Sequence, residues 1–552
     1  MWSRIVTYIP DWTTFLLAGF ALLIPLIFWS VHRWLYSMIN NQYRSKKTGP
    51  MDSSDESSVS RLTGDYTADL ELIKQAIGNN CDVHFREFLM GRYEIGATLI
   101  FVNGMQAEEH INSQVMQILM MVADKDTNDK MSLPPDTELS TYIKQMLLPL
   151  SEINEVVNVR DLNQSILNGH LALLIDGMPN ALVMSMLSIK SRSITEPTSE
   201  ALLRGPRIGF TEQLSENTSM LRRQGSTENL EMTMFEVGNY LKRNLVIAYM
   251  KDIVNPDLLQ EVKQRISKMD MDYFAESGYV EQLIEDSFLS PFQQGQNTER
   301  PDRVISALLE GRVGILLDGT PFALIVPVTF SMLLQSPEDY YERWIPGTLL
   351  RILRFIAAFL ALMAPALYIS FISFHPGLIP TELAISIIES RQGVPFPSLI
   401  EVLVLEISIE ILREAGIRLP KPIGPAMGIV GGLIIGDAAV QAGIVSPFLV
   451  IVVAVTAISS FSIPMYSAGI TLRILRFMGM LFAAVLGMYG TVLFFLLLCS
   501  HLAKLKSFGV PYITPISPFR MNDWKDLLLR APLPLMKRRP DMMKTQQKQR
   551  RS

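Results

Sequence analysis

The chain has 552 residues, 49% of them hydrophobic and only 19% charged, and a formal net charge of −5. A charged fraction this far below the roughly 25% of soluble domains, with so many apolar residues, excludes a wholly disordered chain and points to a protein that is part soluble and part membrane. Two cysteines, Cys81 and Cys499, exclude a disulfide scaffold, and the negative charge argues against nucleic-acid binding.

Residues 1–45 hold the first uncharged stretch, Thr13–Trp29. It reads as an uncleaved anchor. A signal peptide or an interfacial helix are the alternatives, but the chain continues HRWLY where a small-residue cleavage site would stand. His32, Arg33, Arg44, Lys46 and Lys47 come after the stretch and Arg4 alone precedes it, so the positive-inside rule puts the succeeding domain in the cytoplasm. Residues 46–64, Ser-rich and polar, read as a linker.

The next segment is expected to be α/β and internally duplicated: subdomain 1 over 65–190, a connector over 191–230, subdomain 2 over 231–344. ILNGHLALLIDGMPNALV (Ile166–Val183) aligns with LLEGRVGILLDGTPFALIV (Leu308–Val326). Gly169, Asp176, Gly177, Pro179 and Ala181 recur 142 positions later at Gly311, Asp318, Gly319, Pro321 and Ala323. The alternating apolar pattern around Asp-Gly predicts a hairpin whose glycine takes a positive φ. A weaker echo, 148 positions apart at Phe101 and Tyr249, predicts a strand, a turn and an amphipathic helix, the second helix capped by Asn255 with Pro256 at its first position. No catalytic set appears. His84, His110 and His170 lack metal-ligand spacing, and there is no phosphate-binding G-x-x-x-x-G-K-[ST], so neither cofactor nor enzyme activity is expected. RGPRIGF (Arg204–Phe210) reads as a structured connector, with phosphate binding as the alternative.

An all-α polytopic membrane domain is expected over 345–500. Phe355–Phe374, Pro447–Ile470 and Met478–Ser500 reach the roughly 20 residues a bilayer demands. Residues 501–552 form a basic tail with 12 Lys/Arg against 3 Asp, read as cytoplasmic and either solvated or lipid-facing. With both ends inside, four or six crossings lie between them; Arg473 and Arg476 then sit awkwardly at the start of the last one.

The chemistry is concentrated at Glu389, Arg391, Glu401, Glu406, Glu410, Arg413, Glu414 and Asp437. Glu406, Glu410 and Glu414 recur every fourth residue and share one helix face, while Glu401 lies about 140° round from Glu406. Nine apolar residues between Ile400 and Leu412 favour insertion by about 4 kcal/mol in all, and three ionised acids oppose it by about 9 kcal/mol. This face therefore meets water, a partner subunit, Arg391 or Arg413. Two readings stand level: a ring of acids lining a cation path in an oligomer, or acids paired with arginines that transport nothing. Gly424, Gly428, Gly432 and Gly436, in step every fourth residue, favour close helix packing, with Asp437 and Gln441 beside them. RILRF recurs at Arg351 and Arg473, too short a repeat to establish the inverted halves of a transporter.

Several longer stretches resemble the A subunits of spore germinant receptors of the GerA type: EPTSEALLRGPRIGFTE (Glu196–Glu212), TERPDRVISALLEGRVGILLDGTPFALIVPVTF (Thr298–Phe330), SPEDYYERW, ESRQGVPFPSLIE, EILREAGIRLPKPIG and VGGLIIGDAAVQAGIVSP. The resemblance implies a multi-pass protein of the inner spore membrane with its soluble domain in the cytoplasm. It implies partnership with a permease-like B subunit and a lipoprotein C subunit, and oligomerisation into a ligand-gated cation channel. A scaffold subunit or a sensor-less paralogue of the same family fits these motifs too. Such A subunits usually begin with the soluble domain, so Thr13–Trp29 departs from the pattern.

Overall fold

Asp65 accepts hydrogen bonds from the backbone N–H groups of Thr67 and Ala68 and so starts α1 (Tyr66–Ile77). Two strands rich in aromatic and aliphatic residues come next, β1 (Val83–Met90) and β2 (Ile95–Val102), paired antiparallel with Val83 opposite Val102. After a helical stretch that includes Ile111–Met116 come β3 (Ile153–Val156), α2 (Val159–Leu167), β4 (Leu171–Ile175) and β5 (Ala181–Met184). The computed structural model describes Arg33 and residues 61–550, except 91–94, 107, 121–140, 142, 145–147, 149, 151, 187–196, 198–199, 201 and 419–435.

The second α/β unit repeats this plan. Its elements are α3 (Leu214–Gln224), β6 (Leu230–Val237), β7 (Arg243–Met250), α4 (Pro256–Ser267), α5 (Ser277–Ile284), β8 (Gln296–Thr298), α6 (Pro301–Leu309), β9 (Val313–Leu317) and β10 (Ala323–Val326). The strand orders are β1-β2-β4-β5-β3 and β6-β7-β9-β10-β8, the same topology twice, every pairing antiparallel. Gly177 and Gly319 take φ of 80° and 85° in the two Asp-Gly turns, and Asn255 accepts from Asp257 N to cap α4. β4 and β9 are buried along their whole length because both sheet faces are covered. α3 lies inside the expected connector but packs with Leu308 and Val246, so the second unit begins well before residue 231.

Arg222 of α3 joins the units. Its Nε and Nη2 donate to the two carboxylate oxygens of Asp82 at 3.0 Å each, Nη2 also donates to Asn80 Oδ1 at 3.0 Å, and Nη1 to Leu230 O at 2.8 Å. Arg222 and Asp82 are both buried. Pro206 O accepts from Arg300 Nη2 at 2.6 Å, which ties the RGPRIGF segment to the second unit.

The remainder is helical: α7 (Trp344–Ser373), α8 (Thr381–Arg391), α9 (Ser398–Arg418), α10 (Pro447–Phe461) and α11 (Tyr466–Lys504). α11 is broken at Gly487, whose φ of 58° and ψ of −138° are not helical. A straight helix would put Phe482 and Phe494 about 18 Å apart, yet their rings are 5.7 Å apart. The two halves fold back on each other so tightly that a Cβ on Gly490 would collide with Phe482 O. The run Met478–Ser500, expected as one crossing, is therefore a helical turn-around; one glycine with a positive φ leaves no mark on hydropathy.

Contacts fix the direction of α7, α9, α10 and both halves of α11. At the end next to the second α/β unit, Arg351 pairs with Asp526, Thr471 Oγ1 donates to Pro291 O at 2.6 Å, and Ser290 meets His501 Nε2 at 3.0 Å. At the far end, Ser373 bonds Ser398, Tyr368 bonds Ser446 at 3.2 Å, and Gly487 lies against Phe374. α7 and Tyr466–Leu486 thus run outward, and α9, α10 and Met488–Lys504 run back.

Candidate functional site

α9 carries acids on several faces because it is flanked on two sides by helices that carry arginines. Its run of Ile, Leu and Val supplies the apolar contacts: Val402 and Leu405 pack with Ala366, Leu449 and Met480. As α9 runs back and Tyr466–Leu486 runs outward, the acids at 406 and 410 meet the arginines at 476 and 473 in reverse order. Glu406 Oε2 lies 2.8 Å from Arg476 Nη2, both side chains 2% exposed. Glu410 Oε1 lies 2.5 Å from Arg473 Nη1, and its Oε2 lies 3.5 Å from Arg413 Nη1.

The ladder extends at both ends. Arg413 Nη2 donates to Ser460 Oγ of α10 at 2.7 Å, and its guanidinium stacks on Phe461. Towards the far end, Arg391 of α8 donates to Glu401 at 2.5 Å. Glu401 is fully buried, and its second oxygen accepts from Ser446 N at 3.3 Å. Glu401 and Glu406 find different partners, as their angular separation on the helix requires. Glu406 Oε1 and Arg476 Nε are buried without a hydrogen-bond partner among the described residues, which leaves the central pair half satisfied there.

The other candidates lie apart from this ladder. Glu414 pairs with Arg418 at 2.7 Å on an exposed surface. Asp437 is exposed and bonds Gln441 at 2.8 Å. Glu389 is exposed at the end of α8. Gly436 has Val450 Cγ1 3.5 Å from where its Cβ would be, while Gly424, Gly428 and Gly432 lie outside the described residues, as does Thr13–Trp29. Among the described residues, no group of three His, Cys, Asp or Glu is placed to hold a metal ion.

Sequence reasoning named Arg391 and Arg413 as partners for the stripe but missed Arg473 and Arg476, the principal counter-charges. The signal was present: arginines three apart in RILRF match acids four apart on a facing helix. The other RILRF serves the same purpose at the near end. Asp339 pairs with Arg351 at 3.2 Å and Arg354 at 2.6 Å, and Asp526 pairs with Arg351 at 2.8 Å and accepts from Tyr340 OH at 2.6 Å. This cluster anchors the helical half to the second α/β unit.

The basic tail is neither free nor wholly solvated. Tyr512 OH donates to Gln293 O at 2.7 Å, Phe508 N to Asp286 at 2.6 Å, Gln546 Nε2 to Val254 O at 2.8 Å, and Arg550 pairs with Glu310 at 3.3 Å. Phe508 and Met543 enter the core of the second unit. Close by in α5, burial and then the neighbouring carboxylates of Glu285 and Glu276 push the Glu281 carboxyl up to about 8.

Among the described residues, two helical segments are long and apolar enough to cross a membrane, Trp344–Ser373 and Tyr466–Lys504, the second counted through its break at Gly487. The family described as "Bacillus/Clostridium GerA spore germination protein" matches residues 71–542. The chain is 40% identical over 484 residues to spore germination protein GerLA of Bacillus cereus, covering 88% of this chain and 96% of that one. It is 42% identical over 482 residues to spore germination protein B1 of Bacillus subtilis, covering 87% and 97%. The crystal structure of the N-terminal domain of the A subunit of the Bacillus megaterium spore germinant receptor GerK3 covers 50% of this chain and 98% of its own, at 31% identity and a TM-score of 0.37. The chain belongs to the GerA family of spore germination proteins.

Proposed function

We propose that this chain is the A-type subunit of a spore germinant receptor, embedded in the inner spore membrane by several crossings, with its α/β units and tail in the cytoplasm. The start of α7 is tied to the tail, which is itself bonded to the second α/β unit, and the end of α11 meets Ser290 of that unit, which supports an even number of crossings between them. In this reading copies of the subunit assemble around a cation passage, with a permease-like B subunit and a lipoprotein C subunit supplying nutrient sensing and anchorage.

The charge ladder carries the reading. An anchor alone has no use for Glu401, Glu406, Glu410, Arg391, Arg413, Arg473 and Arg476 inside an apolar bundle, and ionisable groups at membrane depth mark ion paths and gates. Pairing within one chain allows the ladder to insert at all. It also gives it two arrangements: acids held by arginines, or acids released towards a passage. The test is cation release from germinating spores. Glu406→Gln and Glu410→Gln together should reduce release with the protein accumulating to its normal level; normal release from that variant contradicts the channel role.

The completeness of the pairing at Glu401 and Glu410 favours a second reading, in which the acids only hold the subunit's shape for assembly. It predicts that the same variant loses complex assembly, and that whatever complex remains shows unchanged selectivity between potassium and sodium.

A further inference from the structure

The border between the apolar helices and the α/β region can be read from α7. Arg351 and Arg354 point into the near-end cluster, and the uncharged run begins one residue later, at Phe355. At this level the tail segment 516–529 lies across the base of the helix, presenting apolar side chains outward: Phe519 is 64% exposed, Met521 75% and Leu529 60%. Loop residues Phe288 and Leu289, 81% and 82% exposed, flank Ser290 where it meets the end of α11. Bare aromatic and aliphatic side chains gathered at the ends of apolar helices are surfaces made for the boundary of a bilayer.

Between the tail and α7 runs a groove of about 650 Å³, lined by Ile352, Phe355 and Ile356 on one side and by Trp524, Lys525 and Leu529 among others on the other. It is almost wholly apolar, and it continues onto the outward face of α7, where Leu353 and Phe359 are exposed. Two polar groups interrupt it. The buried Trp524 Nε1 has no hydrogen-bond partner among the described residues. Lys525 is exposed, and its ammonium forms no ion pair among the described residues, while the nearby acids are already engaged. Asp526 is held by Arg351 and Tyr340, and Asp523 accepts from the backbone N–H groups of Asp541 and Met542. An apolar channel that ends at one uncommitted cation and one unsatisfied N–H donor is complementary to an acyl chain carrying an anionic phosphate.

We propose that this groove binds an anionic phospholipid of the leaflet facing the α/β region, its acyl chain along Ile352, Phe355, Ile356 and Leu529 and its phosphate on Lys525 and Trp524 Nε1. Because Asp526 on the same tail segment holds Arg351, the lipid sits where the helical half is fastened to the second α/β unit. The inference rests on the membrane reading given above.

The test uses full-length protein in phosphatidylcholine vesicles containing phosphatidylglycerol with a photoreactive acyl chain, and, in parallel, vesicles in which phosphatidylcholine carries the same chain. Labelled peptides are mapped by mass spectrometry. The phosphatidylglycerol probe should label residues 352–356 and 521–529 several-fold more than the phosphatidylcholine probe. Lys525→Glu should abolish that excess and Lys525→Arg should keep it; the Lys525 ammonium has no partner among the described residues, so both variants should fold. Equal labelling by the two probes, or an excess that survives Lys525→Glu, overturns the proposal. Residues 359–372 report on embedding itself. If neither probe labels them, the membrane reading fails and the lipid site with it. If they are labelled and the groove shows no excess, the lipid site alone fails.

Discussion

The two α/β units share one topology and differ in what covers the same face of the sheet. In the first, Leu99, Leu171 and Leu173 are covered by the unit's own helical stretch through Ile111, Val115 and Leu119. In the second, the equivalent Ile247, Val313 and Ile315 are covered by α4 and α5 and also by Phe508 and Met543, which arrive from beyond the last helix. A duplicated fold has thus been put to two uses. Among the described residues the first unit builds its core from its own segment, and the second takes part of its core from the tail, so that anything displacing α11 or the tail is felt in its core.

The largest effect that sharpens this contrast is at the joint between the units. Arg222→Leu leaves Asp82 buried and uncompensated, and should cost about 3–5 kcal/mol. Denaturation of the full-length protein should show the units separating into two transitions. Met543→Ala opens a cavity in the second core alone and should cost about 2–4 kcal/mol. Hydrogen exchange should then rise in β7 and β9 with β2 and β4 unchanged, and equal loss in both units would break the contrast.

A pH dependence should also belong to the second unit. The Glu281 carboxyl, raised to about 8 from an ordinary 4.5, stays protonated in the fold while the unfolded chain ionises. Its contribution is full below about pH 4.5 and is lost as pH rises towards 8. Glu281→Gln should flatten that decline in the melting temperature; an unchanged slope assigns it to another group. The smallest effect is Asn255→Ala, which removes the α4 cap and should lower stability by about 1 kcal/mol, confined to the second unit.

Much of this architecture is legible in the sequence where local chemistry decides. The Asp-Gly turns, the 142-residue repeat and the Asn255 cap arise from φ requirements and hydrogen-bond donors within a few residues. What escaped was set by distant parts of the chain. The tail reads as a basic segment, solvated or lipid-facing, because its contacts with Asp286, Val254 and Glu310 involve partners more than 200 positions away. The turn at Gly487 hides in an unbroken apolar run. The acid stripe of α9 is evident from its spacing, and the insertion arithmetic turned it away from lipid towards water, a partner subunit, Arg391 or Arg413, but the arginines it meets depended on which helix would lie alongside.

The central claim, that the acids of α9 are neutralised by arginines of α11 within one chain, is tested most directly by exchanging a pair. Glu406→Arg and Arg476→Glu should each sharply reduce the amount of protein in the membrane, since each leaves two like charges facing across a buried contact. The double exchange should restore accumulation to near the original level. If the double variant is as depleted as the sum of its parts, the two residues do not face each other in the membrane, and the ladder is wrong.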